Sequence, residues 1–123
     1  MLLNHFFTIK EKSVANNNLQ AMIHFDATHE IFKGHFPEQP VVPGVCMMQT
    51  FTEMLEQALG KKMQLQKADQ MKFLAVINPL ENADVNIEFT FEEKEDGTVS
   101  VNGRLFKAEL NFLKFRGAFI ATS

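Results

Sequence analysis

The sequence predicts an α+β fold in which an antiparallel sheet wraps around one long central apolar helix. Two observations carry this reading. Between Val45 and Leu59 apolar residues recur at helical spacing with almost no polar face before Glu56-Gln57, and a helix this apolar needs to be surrounded. Outside it, Leu19, Ala21, Ile23 and Phe25, and then Val85, Ile87, Phe89 and Phe91, alternate with more polar residues. That period of two marks strands with one face turned inward.

The chain of 123 residues suits a single domain over 1–123. Thirteen Phe, with no Trp or Tyr, supply a core that needs no disulfide. The net charge is −3 and the longest basic run is Lys61-Lys62, which argues against a nucleic-acid partner. Cys46 stands alone inside the helical pattern and reads as a small buried hydrophobe. With no cysteine pair there is no disulfide framework or thiolate metal site, and no metal or cofactor is expected. No apolar run approaches the roughly 20 residues that span a bilayer, and the N-terminus lacks a basic region and cleavage signature. A cytoplasmic protein without a membrane partner is expected.

Taken in order, Leu3–Ile9 suits a short strand or a helical turn, and Asn16-Asn17-Asn18 marks a turn before the first alternating strand. Asp26–Glu30 breaks that strand. His24 and His29 read as a strand and a loop side chain. Gly60, with Lys61-Lys62 behind it, is a helix stop. Leu65–Ile77 is mixed, and Asn78-Pro79 closes it. Asp96-Gly97 is a hairpin signal. The phase of alternation then slips near Leu105, which requires a bulge there or a second turn at Asn102-Gly103. The sheet's outer face and one edge are left uncovered at this length, and self-association through the sheet would protect both.

The chemistry concentrates in FKGHFPEQPVVPGVCMMQTFTEMLEQAL, residues 32–59. Gly34, Pro37, Pro40 and Pro43-Gly44 enclose one histidine, His35, directly before the helix. Pro43 sets a rigid start, and Gly44 leaves the first turn open to close approach. The unpaired N–H groups of that turn, with the helix dipole, favour developing negative charge. An imidazole facing them is suited to forming and stabilising an enolate. The same pattern also suits a rigid loop feeding a buried helix.

Gly34-His35-Phe36-Pro37, Pro40-Val41 and Pro43-Gly44-Val45 together resemble the hot-dog-fold 3-hydroxyacyl-acyl-carrier-protein dehydratases of fatty acid synthesis. Glu30-Ile31-Phe32, Asp69–Phe73 with Pro79, and Ala108-Glu109-Leu110 look like the family's approach to the histidine, its next strand and turn, and its last strand. The stretch from Gly97 to Ala108 looks shorter than is usual. The resemblance implies a lyase that converts 3-hydroxyacyl thioesters to trans-2-enoyl thioesters. It also implies a homodimer or an assembly of dimers, with the acyl chain tethered by phosphopantetheine to acyl carrier protein or coenzyme A. By the same resemblance His35 moves the C2 proton, the Gly44 N–H polarises the thioester carbonyl, and Phe36, Pro37, Pro43 and Val45 line the substrate. Arg104, Lys107, Lys114 and Arg116 offer charge to an acidic carrier, or are an ordinary surface scatter.

One position departs from the family pattern. Where the family places an acid in the helix, to act across the dimer with the histidine, this chain has Gln49, and Glu53 follows one turn later. An amide orients a hydroxyl but cannot protonate it as it leaves. Either Glu53 reaches the substrate in a shifted pocket, or His35 makes both transfers, or the protein binds acyl thioesters without dehydrating them. A hot-dog thioesterase is the remaining reading.

Overall fold

The computed structural model describes residues 2–33 and 40–122. Six strands form one sheet: β1 (Phe7–Ala15), β2 (Asn18–Phe25), β3 (Met63–Phe73), β4 (Asp84–Glu93), β5 (Thr98–Lys107) and β6 (Leu110–Ala121). Their order is β1-β2-β4-β5-β6-β3, and every pairing is antiparallel. A short 3-10 turn (Glu30–Lys33) precedes the single α-helix, α1 (Gly44–Leu59). Because β2 lies beside one edge and β3 forms the other, the connection carrying α1 crosses the full width of the sheet.

The inward rows follow from register. Leu19, Phe89, Gly103 and Phe115 lie side by side across β2, β4, β5 and β6, and Ala21, Ile87, Leu105 and Leu113 form the next row. All but Gly103 are buried, and Phe51 of α1 packs its ring 5.9 Å from Phe89 and 5.8 Å from Phe115. The helix is thus seated on the sheet through aromatic contacts at mid-span.

Only part of the helix is enclosed. Its buried residues are Cys46, Met47, Thr50, Phe51, Glu53, Met54 and Leu55, whereas Val45 is 77% exposed and Gln49 is exposed. The expectation of an apolar helix with no open face is corrected here: the flank carrying Val45 and Gln49 is not covered by the chain's own sheet. Burial pushes the Cys46 thiol above its ordinary pKa, as suits a packing residue. Gly60 ends the helix in the left-handed conformation at φ 70°, its N–H returning to the Glu56 carbonyl.

The turns divide into readable and hidden ones. Asn16 and Asn17 take φ 53° and 60°, both positive as a two-residue hairpin requires, and Gly97 takes 91°. Asn102-Gly103 is no turn, since β5 runs through it. The phase slip is a register shift between Leu105 and Phe106, followed by a turn at Ala108-Glu109 in which Ala108 has φ 52°. Ala108 and Glu109, expected in the last strand, therefore precede it.

Both sheet edges are modified. β1 shifts register between Ile9 and Glu11 and turns a mostly exposed, polar face outward. β3 shifts register twice along β6, between Leu65 and Lys67 and between Ala68 and Gln70. Such irregularities bend an edge strand and interrupt its template for further pairing.

Candidate active site

The helix start is built as its Pro-Gly sequence dictates. Pro43 is the N-cap, in extended conformation, and contributes no side-chain cap. Its carbonyl accepts the N–H of Cys46 at 2.9 Å and of Met47 at 3.1 Å. Among the described residues, the N–H groups of Gly44 and Val45 have no acceptor. Two donors and the positive end of the helix dipole thus lie together at the helix start.

The segment leading into the helix is pinned from the other side of the molecule. Val42 N–H donates to the Ile77 carbonyl at 2.8 Å, and Leu74 N–H donates to Phe112 at 2.9 Å. Between these anchors runs an open groove of about 550 Å³, lined by Val41, Pro43, Gly44 and Met47 on one side and by Phe73, Leu74 and Val76 on the other. Its lining is almost wholly apolar, which suits an apolar ligand.

Phe73 closes on the helix start. A Cβ added to Gly44 would meet its Cε1 at 3.0 Å and its Cζ at 3.1 Å, and the ring itself is half exposed. Glycine therefore lets an aromatic ring lie against the first helical turn. Gly44→Ala is expected to leave the melting temperature within a few degrees of native, because the exposed ring tip can yield. Any turnover that uses the Gly44 N–H is expected to fall at least tenfold, since the methyl and the displaced ring crowd that donor. Parallel thermal melts and rate assays check this.

Farther along the helix, Glu53 is fully buried. Its Oε2 accepts the Leu2 N–H at 2.8 Å and its Oε1 the Leu3 N–H at 2.8 Å. Gln49 Nε2, one helical turn earlier, donates to Oε2 at 2.9 Å. Both carboxylate oxygens are thereby occupied within one chain, facing the N-terminal segment. That segment is itself held by the Phe6 ring, which stacks 5.2 Å from Phe32 and meets Phe25 edge-on at 5.5 Å.

The structure thus brings Pro43 and Gly44 to one groove and places Val45 and Gln49 on the open helix flank. His35, Phe36 and Pro37 lie outside the described residues. The contributions of Phe73 and of the Leu2 and Leu3 N–H groups escaped sequence reasoning. The nonalternating apolar run Phe73-Leu74-Ala75-Val76 was the one signal available for the first. Of the surface cations, Arg104 is engaged: it donates to Glu88 at 2.6 Å and Asn111 at 2.8 Å and lies over the Phe106 ring. His24 pairs with Asp84 at 2.8 Å on the surface, and His29 accepts the Ile31 N–H. Among the described residues no group of metal-ligating side chains assembles, and no helix is long and apolar enough to cross a membrane.

One helix seated in an antiparallel six-stranded sheet, with a bare helix start beside an apolar groove, defines the hot-dog class. Within that class the chain belongs to the ApeI-like family, described as ApeI dehydratase, whose profile matches residues 11–109. It is 31% identical over 77 residues to the 3-hydroxyacyl-[acyl-carrier-protein] dehydratase FabZ of Levilactobacillus brevis, a match covering 57% of this chain and 52% of that protein. It is 26% identical over 96 residues to FabZ of Pediococcus pentosaceus, covering 68% and 64%. Neither match reaches two thirds of the relative's length. In structure it is similar to the dehydratase heterocomplex ApeI:P of Xenorhabdus doucetiae, with TM-score 0.68 and 17% identity over 89% of this chain and 95% of that one.

Proposed function

We propose that this protein dehydrates 3-hydroxyacyl thioesters to trans-2-enoyl thioesters in fatty acid or related lipid or polyketide synthesis. The acyl group is carried on the phosphopantetheine of acyl carrier protein or of coenzyme A, and the working unit is a cytoplasmic homodimer or larger assembly. The observation that carries the reading is the Gly44 N–H, which has no acceptor among the described residues and lies at an apolar groove, in a chain of the ApeI-like dehydratase family.

The chemistry follows from that placement. The Gly44 N–H polarises the thioester carbonyl, which acidifies the C2–H bond and holds the negative charge that develops on oxygen. The neutral imidazole of His35 takes the C2 proton; its unperturbed pKa near 6.5 suits exchange at neutral pH. The C3–O bond breaks, the imidazolium returns the proton to the departing hydroxide, and water leaves. One histidine thereby serves as base and then acid. This route is favoured over a Glu53 proton donor, because both Glu53 oxygens are taken by the chain's own N–H groups. For Glu53 to reach substrate, Leu2 and Leu3 would have to withdraw.

A second reading is favoured by Gln49, which stands where the dehydratases carry an acid: an acyl-thioester-binding subunit whose catalytic partner is another hot-dog chain. The similar ApeI:P structure is of a heterocomplex. The purified protein, incubated with 3-hydroxyacyl thioesters of several chain lengths on both carriers, separates the two. Appearance of the conjugated enoyl thioester without added protein supports the lead reading. Binding without turnover on every substrate overturns it in favour of the second, and release of free thiol points to a thioesterase.

A further inference from the structure

We propose that the outer face of the sheet, on the side away from α1, carries a binding cleft for a small phosphate-bearing anion, formed where β5, β6 and β3 run side by side. The inference does not draw on the thioester reading, because the cleft and the helix start lie on opposite faces of the sheet.

Register builds the cleft. Along β6, Leu113, Phe115 and Gly117 are buried on the helix side, and Lys114 and Arg116 between them are exposed on the other. Lys114 stands directly between Lys72 of β3 and Arg104 of β5, and Arg116 directly between Gln70 and Asn102. These six positions form a grid about 10 Å across the strands and about 7 Å along them. All six side chains can donate hydrogen bonds, four of them carry positive charge, and none is an acid.

The acids nearby are already engaged. Glu88, opposite Arg104 on β4, accepts from Arg104 Nε at 2.6 Å. Glu92 pairs with Lys94 at 3.6 Å, and Asp69 with Lys67 at 3.3 Å. Among the described residues, Lys72, Lys114 and Arg116 enter no ion pair. Like charges directly opposite on neighbouring strands repel, and a chain of net charge −3 has more acids than cations with which to relieve them. A cation row left uncompensated in such a chain is accounted for by an anion that binds there.

Size and chemistry select the class of anion. An open cleft of about 440 Å³ lies over the grid, lined in part by Asn18, Gln70, Thr90, Asn102, Arg104 and Lys114. That volume suits a metabolite-sized ligand. Arg and Lys supply the charge-assisted donors that phosphate oxygens accept, and the amides and the Thr90 hydroxyl add neutral partners for the rest of the molecule. An acidic protein or a nucleic acid fits less well, because the patch is small and the net charge of the chain repels both at longer range.

Calorimetric titration of the native protein with pyrophosphate, adenosine 5′-diphosphate and a glutamate-rich peptide tests the assignment. The two phosphates are expected to bind saturably, one per chain, with a dissociation constant below about 1 mM that rises with salt. Lys114→Gln and Arg116→Gln should each weaken binding about tenfold. Lys61→Gln, at an exposed cation beyond the helix stop, should leave it unchanged. All three side chains are exposed, so the variants should fold, which thermal melts verify. Absence of saturable binding of both phosphates overturns the proposal. So does an equal loss in Lys61→Gln, which would mark diffuse attraction, or tighter binding of the peptide than of either phosphate, which would mark a protein-docking face.

Discussion

His35→Ala is expected to lower turnover of a 3-hydroxyacyl thioester by about 10²- to 10⁴-fold while leaving the melting temperature nearly unchanged. In the proposed mechanism one imidazole takes the C2 proton and returns a proton to the leaving hydroxyl. No second group on the helix substitutes for it: Gln49 cannot donate a proton to hydroxide, and the Glu53 oxygens are engaged at 2.8 to 2.9 Å. Stability should survive because the chain on either side is held independently. Before the histidine, the Phe32 ring packs on Phe6, and the Phe32 N–H donates to the His29 carbonyl at 3.1 Å. After it, Pro40 is buried and Val42 is tied to Ile77. His24→Ala, at a surface histidine, serves as the control and should keep full activity. If His35→Ala retains more than a tenth of native turnover, the imidazole is not the proton carrier.

Much of this arrangement was legible because it depends on local chemistry. Pro43 and Gly60 bracket the helix at the positions where a fixed φ starts one and a left-handed residue stops it, and β2 and β4 alternate cleanly because one face is buried. The Gly-His-Phe-Pro to Pro-Gly-Val spacing carries the resemblance to the dehydratases independently of the strand pattern. What could not be read depends on tertiary partners. Two apolar series run along the helix, and only the sheet decides that Met47, Phe51 and Met54 are covered while Val45 is not. β3 loses its alternation at two register shifts. The turn at Ala108 hides because alanine there adopts a conformation that glycine or asparagine ordinarily announces. Glu53 pairs with N–H groups 50 and 51 residues away, a contact with no signature in one dimension.

Gly103→Ala, a change of one methyl group, is expected to destabilise the fold by about 3 kcal/mol and lower its melting temperature by about 10 °C. Gly103 sits in the middle of β5, directly between Phe89 of β4 and Phe115 of β6. A Cβ there would overlap the Glu88 carbonyl and the Phe89 Cβ, and would stand 2.8 Å from the Phe89 Cα. These atoms belong to a strand fixed by ladders on both sides, so relief requires β4 and β5 to separate. The Gly44 site meets the same added methyl with a half-exposed ring tip, and there the cost is small. Separation of β4 and β5 would also disturb Phe89, which with Phe115 seats the helix through Phe51. A Gly103→Ala protein that melts within about 3 °C of the native one would show that the sheet can open at β5 without loosening the helix.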